Sequence, residues 1–343
     1  MAAIDCGTNS IRLLVADTQP PADTQRGLEG SAAPADTQRA PEAAASAGAG
    51  GLVDVVRRME VVRLGQGVDR TGRLSDEAID RTRKALADYA SQIRDLGAER
   101  VRMVATSASR DASNADEFEA MVRDVLGVAP EVVTGEEEAH LSFIGAARPA
   151  PPGARPPYLV VDIGGGSTEF VFGAADAEAA CSVDIGCVRM TERHLRSDPP
   201  TGEQVAAAEA DIAAAVDRAL AAVGVRSPDA GDVAESGRAP ARTLIGLAGS
   251  VTTVAGIALD LPEYDSAAIH HSRISLHEVE RVTADLLASS SQQRLAIGVM
   301  HPGRADVIGA GALILRVIMQ RAGFDSVVAS EHDILDGIAL SLT

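Results

Sequence analysis

The chain contains no tryptophan, and aromatic residues make up only 2% of its 343 positions. Its cores must therefore be built from alanine, valine, leucine and isoleucine, and it offers few platforms on which a base could stack. Lysine occurs once, at Lys84, so nearly all positive charge is arginine. Cysteine is scarce as well. Cys6, Cys181 and Cys187 show no metal-ligand spacing and no even disulfide set, which fits a reducing cytoplasm. There is no run of about 18 apolar residues and no charged-then-apolar leader, so neither a membrane span nor secretion is expected. Positive charge is also in deficit. A net charge of −18 lacks the basic footprint of a general nucleic-acid binder. An anionic substrate would have to be held by local arginines, backbone amides and a metal, against the mean field.

Against these absences stand two glycine-centred acidic turns about 150 residues apart. The first is Ile4-Asp5-Cys6-Gly7-Thr8-Asn9-Ser10 and the second Val161-Asp162-Ile163-Gly164-Gly165-Gly166-Ser167-Thr168-Glu169. Each lies between short apolar runs, which reads as strand, tight turn, strand. Such a turn presents backbone N–H groups with no side chain in the way and so can wrap a phosphate. Its aspartate sits at the strand end, where it can hold a divalent cation beside that phosphate. Three consecutive glycines exceed what a hairpin needs, and close approach of a ligand offsets their entropic cost. Asp162 and Glu169, seven apart across the turn, can face one cleft.

The length predicts two domains, each with its own core. Residues 18–51 stand apart, because Pro-Ala-Asp-Thr-Gln-Arg occurs at 21–26 and again at 34–39. Such a segment cannot bury enough apolar surface to order itself, and it reads as a disordered insertion. The stretch 224–241 reads as a polar loop. Ser75 predicts the N-cap of a helix from Asp76 to Leu96. Asn114 with Glu117, Thr134 with Glu137 and Ser275 with Glu278 have capping-box spacing. The last pair opens a helix, another runs from about Arg304 to Ala322, and a final one starts at His332. Strands at 158–163, 168–173 and 180–185 form a meander. Meander plus helices, done twice, is an α/β pattern with mixed sheets. The adjacent His270 and His271 should point apart, and the seven histidines form no metal set.

These motifs together resemble a known family. Asp5-x-Gly-Thr-Asn-Ser10, Ala105-Thr-Ser-Ala-Ser-Arg110, Gly135-Glu-Glu-Glu138-Ala, Asp162-x-Gly-Gly-Gly-Ser-x-Glu169, Gly249-Ser-Val-Thr-Thr253 and Arg304-Ala-Asp306 occur in the order seen in exopolyphosphatases and guanosine pentaphosphate phosphohydrolases. The resemblance covers almost the whole chain except 18–51. It implies two ribonuclease-H-like domains of the actin/Hsp70/hexokinase superfamily, with mixed five-stranded sheets flanked by helices and a cleft between them. Domain I would span 1–134 plus the terminal helix 332–343, and domain II 135–331.

The resemblance implies roles as well. Glu138 would be the general base that takes a proton from the attacking water. Glu137 has a capping role and Glu136 complements the helix dipole, which leaves Glu138 free. Asp5, Asp162 and Glu169 would hold Mg²⁺ or Mn²⁺. Arg110 would clamp the terminal phosphoryl group, with Arg304 as second clamp and Arg12 as a weaker candidate. Amides of Gly7 to Asn9 and of Gly164, Gly165, Gly166 and Ser167 would bind phosphate, with the hydroxyls of Thr8, Ser10, Ser167 and Thr168. Ser250 would stand near a phosphate or act as an N-cap. Ala248 replaces the family's usual glycine or threonine, which weakens an ATP-dependent kinase reading. The implied substrate is inorganic polyphosphate, in short chains because no further C-terminal module is present, with guanosine pentaphosphate as the alternative. A catalytically silent phosphate sensor is the rival of another class. A cytoplasmic homodimer with no nucleic-acid or membrane partner is the expected form.

Overall fold

The structure is a computed structural model that describes residues 1–18, 51–148, 150–225 and 240–343. The insertion expected at 18–51 and the loop expected at 224–241 lie almost wholly outside the described residues. In chain order, the first half runs β1 (Ala2–Cys6), β2 (Ser10–Thr18), β3 (Leu52–Val61), α1 (Val68–Thr71), α2 (Asp76–Asp95), β4 (Val101–Ala105), α3 (Ser107–Asp111), α4 (Ala115–Leu126), β5 (Glu131–Val132) and α5 (Gly135–Ala147). The second half runs β6 (Tyr158–Ile163), β7 (Thr168–Gly173), β8 (Ala177–Val183), α6 (Cys187–His194), α7 (Gly202–Val223), β9 (Thr243–Leu247), α8 (Ala248–Ala258), α9 (Ser266–Ile269), β10 (Arg273–Ser275), α10 (Leu276–Ala288), α11 (Ser291–Leu295), α12 (Ile308–Ala322), β11 (Ser326–Ala329) and α13 (Ile334–Leu340).

Two mixed sheets result, with strand orders β3-β2-β1-β4-β5 and β10-β11-β9-β6-β7-β8. In each, an antiparallel meander continues into parallel strands joined by helical crossovers. This is the actin-like ATPase fold of two ribonuclease-H-like lobes. The second sheet has six strands rather than the expected five. The extra one, β10, is three residues long and pairs antiparallel with β11, too short to read as a strand from sequence. Both sheets are covered on both faces. On the first, Ile4, Ile11, Leu13 and Val15 pack with helix residues such as Leu86, Tyr89 and Phe118, while Ala3, Leu14 and Ala16 on the other face pack against Leu335 and Ile338 of α13.

The caps hold with two corrections. Ser75 caps α2 and Ser275 forms a full box with Glu278. Thr134 accepts the Glu137 amide, but the Glu137 carboxylate turns to Arg102 at 3.3 Å instead of closing the box. Asn114 makes no cap bond. Its side-chain amide joins the Leu74 backbone, with N–H to Oδ1 at 2.9 Å and Nδ2 to carbonyl at 3.1 Å. His270 and His271 do not point apart either. Their ring centroids are 3.6 Å apart, because His271 takes φ +65° and breaks the alternation.

Helices α5 and α13 cross between the two sheets. A Cβ on Gly145 would lie 1.9 Å from the Asp333 carbonyl oxygen, and one on Gly337 2.0 Å from that of Leu141. The obstacle in each case is backbone, which cannot rotate away. Gly337→Ala is therefore expected to cost about 1–3 kcal/mol through overpacking. Its urea midpoint should fall, and an unchanged midpoint would refute the crossing as drawn.

Candidate active site

The site begins with strand register. Asp5 and Arg12 are direct partners across β1 and β2, and Asp162 and Glu169 are direct partners across β6 and β7. Residues directly opposite share a face, so each pair presents both side chains to the same side of its sheet. On the second sheet that side is covered by α5. Its Glu138 and Ser142 stand one helical turn apart and so face the same way. Ser142 donates to Asp162 Oδ2 at 2.7 Å.

The two glycine turns touch. A Cβ on Gly165 would lie 2.9 Å from Thr8 Cβ, and one on Gly166 would lie 2.7 Å from Ser107 Oγ. They enclose a cavity of about 80 Å³ whose lining includes Asp5, Gly7, Thr8, Asn9, Ser10, Glu138, Asp162, Gly164, Gly165, Ser167, Ser250 and Arg304. The Gly7 amide donates to the Ser10 carbonyl at 2.9 Å and the Gly164 amide to the Ser167 carbonyl at 3.0 Å. These two amides close their turns and are not free for a phosphate, contrary to expectation. The amides of Thr8, Asn9, Gly165, Gly166 and Ser167 donate to no acceptor among the described residues. Unpaired amides on two facing turns form a ready anion cradle.

Four expected residues stand outside the lining. Thr168 donates its hydroxyl to the Ile185 carbonyl, since it points to the face opposite Glu169. Gly166 packs against Thr8 and Ser107 of the other lobe. Glu169 is buried behind Asp162 and accepts from Ser182 Oγ at 2.7 Å. Arg110 bonds the Val133 carbonyl at 3.0 Å and Glu138 Oε2 at 3.2 Å. It thus holds Glu138 at the cavity edge. Ser250 is not an N-cap, since α8 is capped at Leu247.

Sequence reading underrated Arg12 and missed Asp333. The Arg12 guanidinium bonds Asp5 Oδ2 through Nε at 2.9 Å and Nη2 at 2.6 Å, and it also pairs with Asp333. Burial alone would depress Arg12, but Asp333, Asp5 and Asp162 hold it firmly charged. Asp333 caps α13 through a capping box with Asp336, and that Asp-x-x-Asp spacing was the readable signal. Arg304 differs. Its guanidinium lies against Gly249, where a Cβ would be 0.8 Å away, and it makes no ion pair with any described residue.

Carboxylates crowd this space, and burial dominates their chemistry. Burial, then Glu169, pushes Glu138 well above the usual range. Burial and Asp333 raise Asp162 to about 7, and burial and Asp162 raise Glu169 to about 8. Burial lifts Asp5 too, and its Oδ1 is buried without a partner. An orphaned hard oxygen beside mutually repelling carboxylates suits a divalent cation. Among the described residues no three acidic, imidazole or thiol side chains converge to hold an ion alone. A cation here would need water and substrate oxygens to complete its shell. Cys187 lines the cavity as well, but burial pushes its thiol up, as it does for Cys6. A thiol so protonated is a poor nucleophile.

This architecture is shared with known proteins. The chain is 47% identical to "Exopolyphosphatase 2" of Mycobacterium tuberculosis, over 100% of this chain and 98% of that protein. It is 30% identical to the "Guanosine-5'-triphosphate,3'-diphosphate pyrophosphatase" of Photobacterium profundum, over 86% of this chain and 55% of the other. The crystal structure of an exopolyphosphatase-like protein superposes with a TM-score of 0.84 at 38% identity, covering 99% of this chain and 98% of the other. Residues 44–342 match the Ppx/GppA phosphatase family, and the chain belongs to that family.

Proposed function

We propose that the protein is an exopolyphosphatase that releases orthophosphate from the end of short inorganic polyphosphate chains by direct water attack. The observation that carries this reading is the set of unpaired amides on two facing turns, in one cavity with Glu138. In this reading the terminal phosphoryl group lies among the amides of Thr8, Asn9, Gly165 and Ser167. Glu138, made more basic by burial and by Glu169, takes the proton from water. Arg304, unpaired at the cavity wall, binds the phosphate chain. Arg110 holds Glu138 and is poised to turn toward the phosphoryl oxygens. Asp5 and Asp162 would hold Mg²⁺ or Mn²⁺, with Glu169 behind them. Such a cation, when bound, neutralises phosphate charge and stabilises the leaving oxygen. The lobes that grip the substrate are residues 1–134 with 332–343, and residues 135–331. A cytoplasmic homodimer without nucleic-acid or membrane partners belongs to the same reading. The free cysteines and the net charge of −18 support its compartment and its lack of nucleic acid.

A second substrate, guanosine pentaphosphate, is favoured by the named activity of the Photobacterium relative. One experiment separates the readings. Phosphate release is measured with Mg²⁺ on tripolyphosphate, long-chain polyphosphate, guanosine pentaphosphate and ATP. Tripolyphosphate should be the preferred substrate. Turnover of guanosine pentaphosphate alone would overturn the polyphosphate reading, and no release from any of them would leave a sensor.

A further inference from the structure

A second, larger cavity of about 440 Å³ adjoins the first and shares Arg12, Ala248, Gly249 and Arg304 with it. Much of its wall is apolar, supplied by Met59, Val299, Met300, Pro302 and Leu335. Four arginines reach it, but three are already matched within the protein. Arg12 is matched by Asp5 and Asp333, Arg57 by Asp54 and Asp336, and Arg58 by Glu60. His301 also lines it, and burial lowers its pKa, which keeps it neutral near pH 7. Arg304, at the shared wall, makes no ion pair with any described residue.

One carboxylate in this chamber likewise lacks a close ion pair. Glu331 makes no ion pair with any described residue; Arg304 and Arg57 attract it from farther off and offset part of the burial that raises its pKa. Its Oε1 accepts from the Tyr264 hydroxyl at 2.7 Å, and that hydroxyl shares a second bond of 2.7 Å with Thr252 Oγ1. Tyr264 thereby fixes the carboxylate in place. A chain leaving the first cavity on this side meets Arg304 at the doorway and the Glu331 carboxylate beyond it, neither of them held in a close ion pair. Further phosphates would find a largely apolar wall whose arginines other than Arg304 are already engaged by carboxylates, and a like charge held rigidly ahead of them.

We propose that Glu331 is a specificity-determining residue that limits the length of phosphate chain this enzyme accepts. The chain extends past Arg304 by a few units only, and longer ones are repelled by the Glu331 carboxylate. The inference rests on the polyphosphate reading above and deepens it.

The test compares wild type with Glu331→Gln, which keeps shape and removes charge. Rates per chain end are read with Mg²⁺ on tripolyphosphate and on a chain of several tens of phosphates. Binding of both polymers is read by calorimetry on the Glu138→Gln protein, with and without Glu331→Gln. Wild type should favour tripolyphosphate in kcat/KM by at least about 10-fold, and Glu331→Gln should narrow the gap to about threefold through the long chain alone, as removal of a like-charge contact requires. Unchanged tripolyphosphate turnover also reports an intact fold. Tyr264→Phe, which keeps the charge, should keep most of the limit. Equal wild-type rates on both polymers would overturn the inference, as would an unchanged ratio in the variant. If no substrate releases phosphate, the polyphosphate reading falls, and calorimetry alone decides. Tighter long-chain binding on loss of the Glu331 charge then sustains the inference, and equal binding overturns it.

Discussion

Glu138→Gln is expected to lower kcat on tripolyphosphate by about 10²–10⁴-fold with little change in KM, the signature of a lost general base. Glutamine keeps the shape and can still accept from Arg110, so the cleft should remain intact. It cannot accept a proton from water. The wild-type pH profile carries a second expectation. Burial and Glu169 raise Glu138, so kcat should fall on the acid side at a pH well above the ordinary glutamate range. That limb should vanish in the variant. Steady-state rates from mildly acid to mildly alkaline pH check both points. A variant within about threefold of wild type would place the base elsewhere, since positioned bases contribute far more than that.

Without divalent metal, the protein should lose stability as pH rises from about 5 to about 8. Asp162 and Glu169 are raised to about 7 and about 8 in the folded state. The unfolded chain ionises them near pH 4. Below that pH both states are protonated and nothing is lost. Between the two limits the unfolded state gives up its protons first, so unfolding becomes easier with each step in pH. Above about pH 8 the loss is complete. For Asp162 alone it is on the order of 4 kcal/mol, and the pair is coupled, so the two do not simply add. On the proposed reading Mg²⁺ would bind the ionised form, and it should then raise the melting temperature more at pH 8 than at pH 5. Thermal melts in EDTA and in Mg²⁺ at both pH values test this. A flat EDTA profile, or equal shifts from Mg²⁺, would show that these carboxylates are not the buried cluster described.

What could be read from sequence followed from local rules. The tight turn between Asp162 and Glu169 fixes their register, and register makes them partners on one face. The same rule sends Thr168 to the opposite face, so its place at Ile185 was legible in the very alternation that put Glu169 toward the cleft. Glu138 emerged from its place in the Gly135-Glu-Glu-Glu138-Ala motif; the capping box invoked to set Glu137 aside does not close, since that carboxylate turns to Arg102. Arg12 was not legible. Strand β2 is apolar on both faces, with Leu13 on one side and Leu14 on the other, so no alternation shows which way a charged residue turns. Asp333 is readable as a cap, but its reach to Arg12 spans more than 300 residues of chain. The use of the Gly7 and Gly164 amides inside their own turns depends on turn closure that composition does not fix. Ala248 adopts φ +66°, a conformation that glycine takes more easily, so the departure noted in the sequence falls on a strained backbone position.

Helix α13 lies on the face of the sheet that begins at Ala2, packing Ile334, Leu335 and Ile338 against Ala3, Leu14 and Leu52. During synthesis the first sheet therefore emerges with one side bare, and the segment that seals it is translated after the whole of the second lobe. Domains form as units while the ribosome works from the amino end. Here the earlier unit must wait for the later one, so an unsealed apolar face is exposed for most of the chain's birth, and chaperone capture should be concentrated on that lobe.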